Sequence, residues 1–149
     1  MLLRRRRPNL LRMTHILLIF LFLMACSQPQ PTPEPLKGFF EKVTAMVTST
    51  IRGQLRDNPP KQKLLMAKLP SFEKMETMNQ LVEELKGTES LKNFGYLIET
   101  DIIFELQKPE HHYERNNFNS PEVQRAVVSA IITGMKKAME QLKGGKDGN

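Results

Sequence analysis

The chain has 149 residues, of which 40% are hydrophobic and 26% charged, and a formal net charge of +6. This length allows one small domain, and the single cysteine, Cys26, excludes an intramolecular disulfide and a multi-cysteine metal cluster. Residues 1–25 hold five arginines and no acid, which leaves 17 basic against 16 acidic residues from Cys26 onward. Because the excess charge belongs to this N-terminal segment, we expect no nucleic-acid partner.

The first 25 residues show the three parts of a secretory signal peptide. A basic, acid-free start is followed by an apolar core over residues 16–24, and the small residue Ala25 precedes Cys26. The apolar core has about ten residues, whereas a transmembrane helix needs about 20. We therefore predict a cleaved signal peptide over residues 1–25. The sequence leaves open whether translation starts at Met1 or at Met13. A start at Met13 would remove all five arginines from the signal peptide.

Residues Leu23-Met24-Ala25-Cys26 resemble the lipobox of bacterial lipoproteins. In that family a peptidase cuts before the cysteine, the thiol carries a diacylglyceryl group, and the new amino group is often acylated. The resemblance implies cleavage between Ala25 and Cys26, lipidation of Cys26 and attachment to a membrane of the cell envelope. In a Gram-negative host, Ser27 resembles the arrangement that directs such proteins to the outer membrane, facing the periplasm.

Prolines alternate with polar residues directly after the cysteine, and residues 26–35 are predicted to be the lipidated cysteine and a linker. Such a sequence favours a stiff polyproline II conformation. At ~3.1 Å per residue the segment 27–35 would span roughly 28 Å. We expect it to hold a single helical domain, residues 36–143, away from the lipid, and we expect residues 144–149 to be a disordered tail.

The first part of the predicted domain has helical periodicity. Residues 36–57 are predicted to form an amphipathic helix, which residues 58–60 should stop. Its apolar face consists of Leu36, Phe39, Phe40, Val43, Met46, Val47 and Ile51. A short helical segment over residues 61–69 and a helix over residues 71–86, with Ser71 as its N-cap, are expected next. Residues 71–122 carry five bases and eleven acids, so this part of the chain is acidic.

The periodicity of residues 88–107 fits two structures. A helical stripe is formed by Leu91, Phe94, Ile98, Ile102 and Leu106, and a strand-like alternation is formed by Phe94, Tyr96, Ile98, Thr100, Ile102, Phe104 and Leu106. A lone strand would need a partner for its backbone groups. The sequence therefore predicts a mainly α-helical bundle, with an α+β fold containing a hairpin or strand at residues 94–107 as the alternative.

The last helix has the clearest start in the chain. Ser120, Pro121 and Glu122 provide an N-cap, a first-turn proline and a first-turn acid. The predicted helix, residues 121–143, carries a stripe of small residues at a spacing of four: Ala126, Ala130, Gly134 and Ala138. We favour packing of this stripe in the core, because it permits close approach of a neighbouring helix. Homo-oligomer formation through this helix is the alternative.

Residues 109–119 are predicted to be a solvated polar loop containing the one cluster with metal-binding residue types. Its candidates are His111, His112 and Glu114, since imidazole and carboxylate groups bind zinc and transfer protons. Their spacing matches no helix-borne metal motif. We also find no nucleophile elbow and no glycine-rich phosphate loop. The sequence thus predicts neither an enzyme nor a bound metal or cofactor.

These observations favour a binding protein of the envelope. We expect an assembly accessory, a pilot-like or scaffold protein with an envelope-protein partner, attached to the membrane by its lipid anchor. The alternative is a lipid-surface-binding or lipid-carrying protein that uses the amphipathic helix over residues 36–57. The predicted partner or lipid face comprises Phe39, Phe40, Val43, Val47, Ala130 and Gly134.

Overall fold

The computed structural model describes residues 34–144. The predicted signal peptide, Cys26, most of the linker and most of the tail lie outside the described residues. Residues 34–144 are almost entirely helical, and this range contains no strand. The prediction of a mainly α-helical bundle is therefore confirmed.

Six α-helices make up the described part of the chain. Their bounds are Glu34–Leu55 (α1), Pro59–Phe72 (α2), Met78–Gly87 (α3), Lys92–Leu106 (α4), His112–Asn116 (α5) and Pro121–Gly144 (α6). Single 3-10 turns at Glu89–Leu91 and Pro109–His111 lead into α4 and α5. Within residues 34–144, no helix combines the length and the apolar character that crossing a membrane requires.

The first and last helices, α1 and α6, form the most extensive helix pair of the core. The Thr44 hydroxyl donates a hydrogen bond to the Ala130 carbonyl (3.3 Å), and the Thr48 hydroxyl donates to the Gly134 carbonyl (3.2 Å). Both pairs are separated by 86 residues, so the two helices run parallel. The stripe of small residues on α6 allows this close approach, which confirms its predicted role in core packing.

Residues 92–106 are helical, which decides between the two predicted structures for this region. The helical stripe, Leu91, Phe94, Ile98, Ile102 and Leu106, is buried. A strand would have placed Tyr96 and Phe104 on that same buried side, but both are exposed. A helix satisfies its backbone hydrogen bonds internally, whereas a single strand among helices has no neighbour that can do so.

The predicted start of α6 is confirmed, whereas the predicted helix start at Ser71 is wrong. Ser120 caps α6 as predicted, because the Val123 amide donates to its hydroxyl (3.3 Å). Ser71 caps no helix, since α2 continues through Pro70 to Phe72. The N-cap of α3 is instead Thr77, whose hydroxyl accepts from the Gln80 amide while the Gln80 side chain accepts from the Thr77 amide. This reciprocal capping box stabilises the start better than Ser71 would.

Candidate functional site: an exposed helix face and a buried ionic cluster

The predicted partner or lipid face is part of the domain's own core. Phe39, Val43 and Val47 are buried, and so are Ala130 and Gly134 opposite them, while Phe40 is half-buried against the same core. A Cβ atom on Gly134 would lie 2.8 Å from the Thr44 carbonyl oxygen, so the two helices touch there. The prediction that these six residues form an external surface is wrong, because α1 and α6 cover each other's apolar faces.

A different apolar surface is exposed on α4. We define the α4 outer face as Tyr96, Leu97, Thr100, Ile103 and Phe104. Its large side chains are 48% (Tyr96), 39% (Leu97), 47% (Ile103) and 67% (Phe104) exposed. Their spacing places them on one side of the helix. Since the opposite side of α4 is buried in the core, this helix is apolar on both sides, a property typical of helices at an interface.

Charged side chains border the α4 outer face along both of its edges. Glu99 lies on one edge and binds the Lys86 ammonium at 2.7 Å, which also lies 3.2 Å from Glu83 and 4.9 Å from the centre of the Tyr96 ring. The hydrogen bond to Glu99 is the main cause that raises the pKa of Lys86. Asp101 lies on the other edge and accepts a hydrogen bond from the Thr50 hydroxyl (3.4 Å). Lys86 and exposed Lys92 lie on the Glu99 edge, and Lys42 and Lys108 lie beside Glu105, one turn from Asp101, so the border carries charges of both signs.

A groove of about 410 Å³ opens at the Ile103 end of the face. Met78 and Phe118 contribute apolar walls, and Glu99 lines the same groove. The Gln124 side chain fixes these walls relative to each other, because its amide oxygen accepts from the Met78 amide (2.9 Å) and its amide nitrogen donates to the Phe118 carbonyl (2.7 Å). These hydrogen bonds fix the shape of the groove, which extends the apolar surface beyond α4.

A larger and more polar groove, of about 630 Å³, lies between α1 and α6. Arg52, Arg56 and Lys137 line it together with Asp57. Arg52 stands in the last turn of α1, where a base is stabilised by the partial negative charge of the helix end without any ligand. Helix electrostatics thus accounts for Arg52.

The histidine segment is a folded part of the domain, contrary to the predicted solvated loop. His111 and Glu114 are buried, and they meet buried Glu105 from α4. The His111 Nε2 atom lies 3.1 Å from Glu105 Oε1, and His111 Nδ1 lies 3.8 Å from Glu114 Oε2. His112 is exposed and takes no part. His111 also packs against the Phe39 ring of α1, at 5.1 Å between ring centres.

The residues of this cluster do not fit a metal ion. Glu105, Glu110 and His111 each offer a ligand atom within 4.8 Å of the others. However, the Lys108 ammonium already donates to Glu105 Oε2 at 2.6 Å, and the Lys42 ammonium lies 3.8 Å from Oε1. Two cations beside the central carboxylate would repel a third. We therefore assign the cluster a structural role, joining α1, α4 and α5.

This ionic cluster predicts a pH-dependent stability. Burial raises the pKa of the Glu105 carboxyl, but the hydrogen bond and charge of Lys108, with smaller effects of His111 and Lys42, outweigh burial and hold its pKa below the ordinary 4.5. The stabilisation is complete above the pKa of the unfolded chain and is lost as the pH falls through the folded-state pKa. We expect the free energy of unfolding to decrease below about pH 4.5.

The Glu105→Gln variant tests this prediction. We expect it to lower the free energy of unfolding at pH 7 by about 1–3 kcal/mol, because Lys108 is partly exposed and turns toward water when its partner is lost. Its urea unfolding should depend less on pH in the acidic range than that of the wild type. Exposed Glu110 is the control, and Glu110→Gln should change stability by less than about 0.5 kcal/mol. An unchanged acid dependence in Glu105→Gln would contradict the assignment.

The structure thus separates the residues singled out in the sequence. His111 and Glu114 come together in the core, the predicted α1–α6 face is internal, and Ala25 and Cys26 lie outside the described residues. The α4 outer face was missed because Tyr96, Thr100 and Phe104 belong to the strand-like alternation, whereas Leu97 and Ile103 belong to neither predicted pattern. Comparison of the chain with protein-family models, with curated proteins and with solved structures finds no match.

Proposed function

We propose that the mature chain is a lipid-anchored accessory protein of the cell envelope that binds a protein partner through the α4 outer face. The observation that carries this proposal is the exposed apolar side of a helix whose other side already lies in the core. The lipobox-like residues 23–26 support the anchor. In a Gram-negative host we place the protein at the outer membrane, facing the periplasm.

The exposed side chains have enough apolar surface to bind a partner. Burying a Leu, Ile or Phe side chain completely is worth about 1.5–3 kcal/mol, and the four large residues of the face are only partly buried in the free domain. Tyrosine is among the residue types enriched at binding hot spots, and Tyr96 belongs to this face. The face therefore supports a binding role, and the partner's other contacts decide the final affinity.

The order of the helices relates this face to the start of the domain. Lys42 of α1 approaches Glu105 of α4, and Thr50 approaches Asp101, so the two helices run antiparallel. The Phe104 end of the face consequently lies beside the N-terminal half of α1, which the predicted linker joins to Cys26. A lipid anchor on a linker of roughly 28 Å would keep the face near the membrane and raise its effective concentration for envelope partners.

The sequence also suggested lipid binding through residues 36–57 as an alternative. The burial of the apolar face of α1 against α6 does not support that alternative. Partner binding through α4 takes its place. Photo-crosslinking in intact cells tests it directly, with a photoreactive residue at position 104 and the same residue at position 66 as control, since Met66 is an exposed apolar residue on α2. We expect one specific cross-linked protein at position 104 and none at position 66. Equal products at both positions would reject the proposal.

The anchor has a separate test. We expect the intact mass of the membrane-extracted protein to correspond to a chain that begins at Cys26 and carries a diacylglyceryl group. Cys26→Ser should remain unprocessed and unacylated, because the thiol is the acceptor of the diacylglyceryl group. It should therefore lose the lasting attachment that two or more acyl chains provide. A Cys26→Ser protein that is cleaved normally and stays firmly bound to washed envelopes would contradict the anchor.

A further inference from the structure

We infer that the polar groove between α1 and α6 is a binding site for a phosphate ester whose organic part carries hydroxyl groups. The inference goes beyond the proposed function and does not depend on the α4 outer face. Three features of the groove support it: its open floor of small residues, the bases that line it without an acidic partner, and the other polar side chains beside them.

The groove has the size and the floor of a small-molecule site. Its volume of about 630 Å³ lies within the usual range of such sites, about 300–1,000 Å³. Ala45, Ser49 and Gly53 line it at a spacing of four, so these small residues lie along one side of α1. A Cβ atom on Gly53 would meet no atom of residues 34–144 within 4 Å, so the space over the helix is open there. A ligand can therefore approach the α1 backbone closely.

Three basic side chains line the groove, and they come from both helices. The Arg56 amide donates to the Arg52 carbonyl (3.2 Å), which continues the helical turn and places these two residues one turn apart on the same side of α1. Lys137 lines the groove from α6. Within residues 34–144, no carboxylate lies within 4.0 Å of these three basic groups, and the ion pairs there involve other bases. The three groups are thus free to bind an anion.

The acidic residues nearby leave a positive excess in the groove. Asp57 is the acid among the lining residues, so three bases and one acid give the lining a net charge of +2. Outside the lining, Glu140 follows Lys137 on α6, and Lys143 of the same helix offsets its charge. The excess therefore remains when the neighbouring charges of α6 are included.

The ends of the two helices do not cancel this excess. The end of a helix carries a partial charge of only about −0.5, and the effect falls off within the last turn. At the end of α1, the Leu55 and Arg56 carbonyl oxygens already accept from Gln62 Nε2, at 2.6 and 3.2 Å. The other helix, α6, continues to Gly144, about two turns beyond Lys137. The full charges of the lining consequently outweigh the helix dipoles.

A phosphate monoester matches this lining better than a carboxylate does. It carries about −1.5 to −2 charges at pH 7, close to the excess of the groove, whereas a carboxylate carries only one. Guanidinium groups bind phosphate oxygens through two parallel hydrogen bonds, and an ammonium group binds them as a point charge. Ser49, Asp57 and Gln141 offer hydrogen-bonding groups to hydroxyls next to the phosphate. Free phosphorylated polyols and lipid headgroups share this chemistry.

Glycerol 3-phosphate is the soluble probe that tests the inference. The protein is the full mature chain, residues 26–149, with Cys26→Ser so that no attached lipid interferes. Titration followed by amide NMR should shift the signals of residues 45–57 and 137–141. Glycerate, a hydroxylated carboxylate of similar size, should bind at least about tenfold more weakly, because it has less charge and fewer oxygens for the two guanidinium groups.

Three variants identify the groove as the site. The double variant Arg56→Gln, Lys137→Gln should weaken binding by about tenfold or more. Gly53→Leu should weaken it by a similar factor, because the side chain fills the open space without changing any charge. The control is Lys37→Gln, Lys74→Gln, which removes the same charge from exposed positions outside the groove and should bind as the parent does. Circular dichroism confirms that each variant is folded.

A second arm distinguishes a lipid source from a free one. Vesicles of phosphatidylcholine with phosphatidic acid present the phosphate monoester on a lipid. Sedimentation with these vesicles that is lost in Arg56→Gln, Lys137→Gln, without binding of glycerol 3-phosphate, would assign the groove to a lipid headgroup. Binding of glycerol 3-phosphate itself would assign it to a free phosphate ester.

The remaining outcomes overturn the inference. Binding of neither probe would show that the groove holds no phosphate, and equal binding of glycerate would show that it does not select one. Binding that Gly53→Leu leaves unchanged, or that the control variant weakens as much as Arg56→Gln, Lys137→Gln does, would reduce the effect to general attraction by surface charge.

Discussion

Replacement of Gly134 by alanine should lower the free energy of unfolding by about 1–3 kcal/mol, and replacement by leucine should unfold the domain. The added Cβ would lie 2.8 Å from both the Thr44 carbonyl oxygen and Val47 Cβ, and 2.9 Å from Val47 Cγ1. Backbone atoms of α1 cannot move aside without breaking the Thr44 and Thr48 hydrogen bonds to α6. The free energy of unfolding of a small domain is only about 5–15 kcal/mol, so we expect the steric cost of a leucine here to exceed it.

Gly38 provides the matched control, because it is also a helical glycine but a Cβ on it meets nothing within 4 Å. Gly38→Ala should raise the free energy of unfolding by about 0.5–1 kcal/mol through the better helix propensity of alanine. Urea unfolding followed by circular dichroism measures both variants. Equal effects of the alanine substitutions at positions 38 and 134 would show that α1 and α6 are not in contact.

The second large effect is expected at Phe39, where alanine should cost about 3–5 kcal/mol of unfolding free energy. This side chain is 1% exposed and packs its ring against His111. Its loss would leave a cavity between α1 and the ionic cluster, where the cluster itself prevents collapse of the surrounding helices. Thermal unfolding should show a correspondingly large decrease of Tm.

Phe104→Ala is the control for this substitution, since it removes the same side chain from a position that is 67% exposed. It should change the free energy of unfolding by less than about 0.5 kcal/mol. The pair separates two roles of phenylalanine in this protein, one in stability and one in binding. A Phe39→Ala protein of normal stability that had lost a binding activity would restore the external surface first expected for α1.

The elements that were predictable from sequence have local signals. The start of α6 depends on Ser120, Pro121 and Glu122, which are adjacent in the chain, and the small stripe of α6 predicted close packing from its spacing alone. The α1 face was predicted as apolar for the same reason. Its occupant was not, because α6 begins 66 residues after α1 ends and no local pattern joins the two.

The candidate site was less accessible to sequence reasoning for physical reasons. Polar residues at 110–114 are typical of a loop, whereas His111 and Glu114 are buried and His111 contacts both Glu114 and Glu105, a residue of α4. The α4 outer face was not recognised because only Tyr96, Thr100 and Phe104 fit the strand period, while Leu97 and Ile103 lie outside both predicted patterns. The available signal was that α4 carries apolar residues on both of its sides. A helix that buries only one side in the core needs apolar residues on that side alone.

The parallel pairing of α1 with α6 also constrains when the protein folds. α1 finds its native partner only after α6 has been synthesised, and the contacts between them span 86 residues. Contacts of such long sequence separation form late, because a large loop must close first. We therefore expect the apolar face of α1 to remain uncovered until α6 has formed and packed against it.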